Sequence, residues 1–194
     1  MSNLFDTTIE VFGAVTGLLY IFFSIRQNIL LWPLGIFTSA FYIYVFFTTR
    51  FYADMSLQFY YLAISAYGWY HWWRGGENQV KDKLPVTRLR GRQLIWIIGS
   101  ILLLFAIITW ILKNYTDSDV YVGDAFTTAA SIVATWMLAR KILEHWIIWI
   151  IVDAISCALY VYKGLYPTVI LFVVYTLMAV KGYIEWKRAL TTNR

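Results

Sequence analysis

The sequence predicts an all-α integral membrane protein with seven transmembrane helices in a 3+1+3 arrangement, the two groups of three being parallel repeats. Three observations predict it: an apolar composition too rich for a small soluble core, seven apolar runs near membrane length, and aromatic positions that recur from the second run to the sixth and from the third to the seventh. Hydrophobic residues make up 60% of the 194 residues and charged residues 14%, against about 45–50% and about 25% in an average soluble domain. A chain this short leaves much of its surface exposed when it folds alone, so this apolar content calls for lipid around it. The 10 Trp and 15 Tyr join an apolar body to a polar tip and suit the bilayer interfaces.

A spanning helix takes about 20 mainly apolar residues at about 1.5 Å each. Runs that meet or approach this length fall at 9–24, 30–47, 55–72, 94–112, 122–138, 146–162 and 168–186. Pro33 and Pro167 lie in or just before first turns, where a missing N–H costs little. The stretch 75–92 is polar and contains Pro85, so it reads as the one long loop. The division that follows is 1–73 for a first three-helix bundle, 74–120 for a cytoplasmic loop and linking fourth helix, and 121–194 for a second bundle with a cytoplasmic C-terminus. Residues 1–10 lack the basic region and cleavage pattern of a secretory signal, so the first run is expected to be retained.

Seven spans place the termini on opposite sides. All but three of the 16 Lys and Arg, the exceptions being Arg50, Lys113 and Lys163, fall toward the C-terminal side; they include Lys81, Lys83, Arg194 and, within the last run, Lys181. The positive-inside rule then puts the N-terminus outside and the C-terminus in the cytoplasm, as for a protein of the inner (plasma) membrane. The basic balance is topology signal and contact with anionic lipid headgroups, and it requires no nucleic-acid partner.

Laying the sixth run over the second at an offset of 118 pairs Tyr42 with Tyr160 and Tyr44 with Tyr162. Laying the seventh over the third at an offset of 114 pairs Tyr52 with Tyr166, Tyr61 with Tyr175, Gly68 with Gly182 and Trp72 with Trp186. Order and spacing together predict an internal duplication, with a four-residue length change absorbed at a connection. One extra helix between two triplets gives both the same sense across the membrane, which makes the repeats parallel. That is a transporter plan, with the substrate site at the repeat interface.

Polar residues inside the runs then ask for a role. Asp153 lies seven residues beyond Trp146, about 10 Å into its helix, where an Asp costs about 3 kcal/mol by insertion scales. Two readings compete: a carboxylate for a cationic substrate or a coupling proton, and an ion pair or gate with Lys181. Gln58, Thr38, Ser39, Ser65 and Ser156 are further inward-facing candidates; Gln58 both donates and accepts hydrogen bonds. The alternative for all of them is helix–helix hydrogen bonding. Asp54 and Asp124 suit helix N-termini. Trp32, Tyr61, Trp69, Trp136 and Trp149 are candidates to line a pocket and stack on a flat cationic ring, worth about 0.5–2 kcal/mol per face; packing and interface belts are the competing use.

No phosphate loop, HExxH pair or G-x-S-x-G elbow occurs, so neither enzyme chemistry nor ATP-driven pumping is expected, and no cofactor. One cysteine, Cys157, excludes an internal disulfide framework and a Cys-rich metal site and reads as a small buried filler. His71 and His145 read as solvated or interfacial side chains at cytoplasmic helix ends, and no metal site is expected.

The runs Val15-Thr-Gly-Leu-Leu-Tyr20, Trp32-Pro-Leu-Gly35, Leu57-Gln58, Tyr67-Gly-Trp-Tyr-His-Trp72, Arg140-Lys141, Glu144-His-Trp146 and Trp149 resemble the PnuC family of nicotinamide riboside transporters, itself similar to the SWEET sugar transporters. The resemblance covers the chain from the first run to Trp186. It implies a seven-helix core of two three-helix bundles around a linking helix, homotrimers, and facilitated diffusion of a small cationic vitamin that a cytoplasmic kinase traps as part of NAD biosynthesis. It carries a binding role onto Gln58 and the region of Asp153. Positions that look like asparagines in the better-known members are Thr38, Ser65, Asp153 and Lys181 here, which keeps thiamine open beside nicotinamide riboside. A sugar facilitator and a membrane scaffold are the alternatives from other classes.

Overall fold

In the computed structural model, residues 2–77 and 84–192 are described; Lys81, Lys83 and Arg194, counted above among the cytoplasmic cations, lie outside them. The described residues form seven helices in order: α1 (Ser2–Ile25), α2 (Leu31–Thr49), α3 (Tyr52–Glu77), α4 (Gly91–Tyr115), α5 (Tyr121–Ala139), α6 (His145–Tyr162) and α7 (Tyr166–Thr192). Each covers one of the runs expected from sequence. Among the described residues six of them are long and apolar enough to cross a membrane: Thr7–Ile25, Leu31–Thr49, Gly91–Tyr115, Tyr121–Ala139, His145–Tyr162 and Tyr166–Thr191. The exception is α3, which has ample length at 26 residues. Asp54, Gln58, His71, Arg74 and a run of Tyr and Trp dilute its hydropathy.

The chain forms two compact units, Met1–Leu84 and Pro85–Arg194. In the first, α1 packs on α2 and α2 on α3; in the second, α4 packs on α5, α5 on α6 and α6 on α7. The sandwiched position of α5 follows from its alanines. Ala125, Ala129, Ala134 and Ala139 are completely buried, and side chains this small let neighbouring backbones approach closely. Ile97 of α4 joins Val133, Met137 and Ile142 in one buried cluster, with Leu89, Ile101, Leu104 and Ile148 packed against it. Outward faces stay apolar: Leu94, Ile95, Trp96, Leu102, Leu103 and Trp110 of α4 are all exposed, as lipid contact requires.

The duplication is written into the backbone. Gln27 and Lys141, 114 residues apart, both have φ of 52°. Each ends its helix with the same pair of bonds: Asn28 N–H to the Phe23 carbonyl at 2.9 Å and Gln27 N–H to the Ser24 carbonyl at 3.0 Å, then Ile142 N–H to Met137 at 3.0 Å and Lys141 N–H to Leu138 at 2.9 Å. This is the helix-ending motif built on one left-handed residue. After α2 and α6 the pattern recurs at Arg50 (φ 63°) and Gly164 (φ 71°), again 114 apart. The register is therefore 114 in the second and sixth helices too, and the offset of 118 is corrected. The two offsets differ by four residues, close to one helical turn, so both lay the same faces over each other and an aromatic-rich sequence matches in either.

Gly164 tests what these turns cost. No atom lies within 4 Å of a Cβ placed there, so only the left-handed backbone opposes a side chain. Gly164→Ala is expected to lower stability by about 1 kcal/mol, measured by reversible unfolding in detergent.

Candidate functional site

The candidate residues fall on helix stripes within each unit. On α6, Trp149, Asp153 and Ser156 are spaced at four and three residues and share one face. Trp149 is half-buried, while Asp153 and Ser156 are buried, at 4% and 7% exposure. Asp153 makes no hydrogen bond or ion pair among the described residues, and Lys181 on α7 is exposed. Arg188 pairs with Glu185 at 3.5 Å. Cys157 is half-buried, its thiol 3.9 Å from the Val169 carbonyl.

In the first unit, Gln58, Tyr61 and Ser65 form a polar stripe on α3, with Gln58 and Tyr61 half-buried and Ser65 buried. Thr38 of α2 is half-buried and its neighbour Ser39 is buried. In the 114 register, Ser39 is the counterpart of Asp153. The duplication thus places a hydroxyl in one triplet where the other has a carboxylate.

The remaining tryptophans have other surroundings. Trp32 is fully buried, edge-on to Trp72 at 5.4 Å and 88°. Trp146 meets Trp186 at 5.8 Å and 84°, the same pair one repeat later. A Cβ at Gly68 would lie 2.5 Å from the Trp32 ring and a Cβ at Gly182 2.6 Å from the Trp146 ring. Glycine is what lets α2 meet α3, and α6 meet α7, through an indole. Both indole N–H groups are enclosed without a hydrogen-bond partner among the described residues. Trp136 is 39% exposed with the Arg140 guanidinium 5.5 Å from its ring centre, and Trp69 is 43% exposed.

His145 departs from expectation. It is completely buried, 4.8 Å from the Trp186 ring, with Nδ1 2.7 Å from the Ile142 carbonyl. It stands at the position of Leu31, an equally buried core residue, so its ring is an apolar filler rather than an interfacial group. His71 stacks on Tyr67 at 5.6 Å. Asp124 lies in the first turn of α5 and accepts from the Ser118 hydroxyl at 3.0 Å. No group of three or more metal-ligating side chains occurs among the described residues.

Tyr20 belongs with the candidates and was missed. A Cβ at Gly35 would lie 3.1 Å from its ring and 2.7 Å from the Ser65 hydroxyl, so α1, α2 and α3 converge at this point. Their counterparts in the second unit are Ala134, Trp149 and Ala179. One large ring serves each triplet at this level, from the first helix in one and from the middle helix in the other. The 114 register is the signal that pairs them.

Two units of packed spanning helices, with a repeated helix-ending turn and buried polar stripes, define a multi-pass membrane protein built by duplication. A family model described as "Nicotinamide mononucleotide transporter" matches residues 7–188, and the chain belongs to that family of membrane transporters, which is not an enzyme family. It is 23% identical over 201 residues to the nicotinamide riboside transporter PnuC of Escherichia coli (strain K12), covering 92% of this chain and 84% of the relative. The PnuC of Neisseria mucosa is 25% identical, with 94% and 73% covered. The riboflavin/roseoflavin transporter RibM of Streptomyces davaonensis is 24% identical, with 94% and 87% covered. The fold matches the crystal structure of the vitamin B3 transporter PnuC with a TM-score of 0.75, at 22% identity and over 97% of this chain and 84% of that one.

Proposed function

We propose that this chain carries nicotinamide riboside, a small cationic NAD precursor, across the membrane by facilitated diffusion. The observation that carries this reading is Asp153: a buried carboxylate midway along a spanning helix, on one stripe with an aromatic ring and without a hydrogen-bond or ion-pair partner among the described residues. An Asp so placed is costly unless something pairs with it, and a pyridinium ring offers both a charge for Asp153 and a face for Trp149. The family description names a mononucleotide and one relative a flavin. A phosphate dianion would be repelled by the same carboxylate, and a neutral flavin would leave it unpaired.

Gln58, Thr38 and Tyr61 are assigned to the substrate's polar groups, and Trp149 to its ring. The functional division is two triplets, 1–73 and 121–194, with 74–120 as the link. The N-terminus is assigned to the outside and the C-terminus to the cytoplasm of the inner membrane. A cytoplasmic kinase drives net uptake by trapping the product. The exposed apolar face of α4 suits contact between copies in a homotrimer, with lipid on the remaining faces.

Uptake into liposomes holding purified protein tests the substrate. Labelled nicotinamide riboside is expected to enter faster than thiamine, riboflavin or glucose, and equal or absent flux for all four overturns the reading. Gln58→Leu is expected to weaken nicotinamide riboside binding by about tenfold, since one hydrogen-bonding partner of the substrate is lost. Leu177→Ala, on an exposed face of α7, is the control, read by titration calorimetry.

A further inference from the structure

The α5–α6 elbow is closed by chain that arrives from before α4. The Thr87 N–H donates to the Lys141 carbonyl at 2.9 Å and the Leu143 N–H to the Thr87 carbonyl at 2.9 Å, a single parallel bridge between Thr87 and Ile142. The Thr87 hydroxyl reaches the same Lys141 carbonyl at 3.4 Å. Two residues on, the Leu89 N–H donates to the Glu144 carboxylate at 3.0 Å, and the Leu89 side chain packs against the buried cluster of Ile97, Met137 and Ile142. Residues 85–90 are thus a strap, held to the elbow by backbone bonds, one carboxylate and apolar contact.

The first elbow handles the same position differently. Leu30, the counterpart of Glu144 in the 114 register, has its N–H taken by the Asn28 side chain of its own turn at 2.9 Å. The duplicated turn has diverged in sequence, and Glu144 is the changed residue whose side chain grips the strap. Glu144 is also the residue on which α6 begins. Trp149 and Asp153 follow five and nine residues later on the same rigid helix, so a small rotation at the elbow displaces both. Binding geometry of this kind has to be held to within a fraction of an ångström by surrounding bonds.

We propose that Glu144 is a positioning residue. By holding the strap against the elbow it sets the rotation of α6, and with it the placement of Trp149 and Asp153 toward the transported molecule. The side chain is suited to this by its length, which brings an acceptor oxygen to within 3.0 Å of the Leu89 N–H. This inference rests on the transport reading, and its test separates the two.

The experiment is amide hydrogen exchange on full-length protein in detergent, paired with nicotinamide riboside binding, for wild type, Glu144→Ala, Glu144→Gln and Glu144→Asp. Alanine removes the acceptor, glutamine keeps an oxygen at the same reach, and aspartate keeps the charge but draws it back. Exchange over 85–90 and 141–153 is expected to rise about tenfold in the alanine variant and less in the aspartate one. It is expected to stay near wild type in the glutamine variant, and residues 24–34 to be unchanged in all. Affinity is expected to fall about fivefold with alanine and to be recovered with glutamine. Unchanged exchange over 85–90 overturns the proposal, as does loosened exchange with unchanged affinity. If the alanine variant does not fold, aspartate against glutamine decides, and equal behaviour of those two overturns it. A wild type that binds no nicotinamide riboside rejects the substrate assignment, and exchange over 149–153 then decides on Glu144 alone.

Discussion

Gly182→Ala is expected to destabilise the second unit by about 3 kcal/mol, and Gly68→Ala the first by a similar amount. The added methyl at Gly182 would sit 2.6 Å from two ring atoms of Trp146 and 2.7 Å from a third, where carbon atoms prefer about 3.5–4.0 Å. The indole has nowhere to retreat. Trp146 is 2% exposed, His145 lies 4.6 Å from it, and Trp186, itself completely buried, meets it edge-on. Relief would need α6 and α7 to separate along their contact. The same holds at Gly68, where the ring is Trp32 and the flanking edge Trp72. Gly99→Ala is the control, since nothing lies within 4 Å of a Cβ there and an alanine within a helix gains up to about 1 kcal/mol over glycine. Thermal unfolding in detergent measures all three. Similar midpoints for Gly182→Ala and Gly99→Ala would mean the indole is not wedged. In the double variant Gly182→Ala with Trp146→Leu, the smaller side chain is expected to recover part of the loss.

These glycines also mark how far the fold was legible in the sequence. The seven helices were readable because a membrane demands an apolar run for each crossing, and that demand leaves a mark on every segment, faintest on α3. The pairing of Gly68 with Gly182 and Trp72 with Trp186 was readable because each is half of a contact that the duplication kept. The register of α2 on α6 was not, because a slip of about one turn keeps the same face forward. The left-handed residues fix it, Gln27 with Lys141 and Arg50 with Gly164, and their conformation is not visible in a sequence.

Within the candidate site, sequence identified which helices carry polar groups but not which aromatics are wedges. Trp32 and Trp149 look alike along the chain. One is sealed over Gly68 and the other stands one turn from Asp153. His145 was misplaced for the same reason, since the end of a helix does not say whether a ring turns inward. Tyr20 escaped because its role depends on the volume vacated by Gly35, two helices working together.

Asp153→Asn is expected to abolish discrimination between nicotinamide riboside and its reduced, uncharged form while leaving the protein folded. Opposite unit charges about 4 Å apart attract by about 4 kcal/mol at an effective dielectric near 20. Desolvation of both takes back part of this, so wild type should favour the cation by about tenfold to a hundredfold. The asparagine keeps the size and one acceptor oxygen of the carboxylate, so the neutral ligand should bind almost equally to both proteins. The competing role for Asp153 was a structural pair with Lys181, but Lys181 is exposed and forms no ion pair among the described residues. Lys181→Met is therefore expected to leave the cation preference within about twofold of wild type. If instead Asp153 held the helices together, its asparagine variant would lose thermal stability and treat the two ligands alike in proportion. The duplication offers a second check: Ser39, the counterpart of Asp153, supplies a hydroxyl, so Ser39→Ala should weaken both ligand forms equally, without touching the preference. Binding of both forms to folded, detergent-solubilised protein measures each of these. A preference that survives Asp153→Asn intact would remove the carboxylate from substrate recognition and leave Trp149 stacking as the source of affinity.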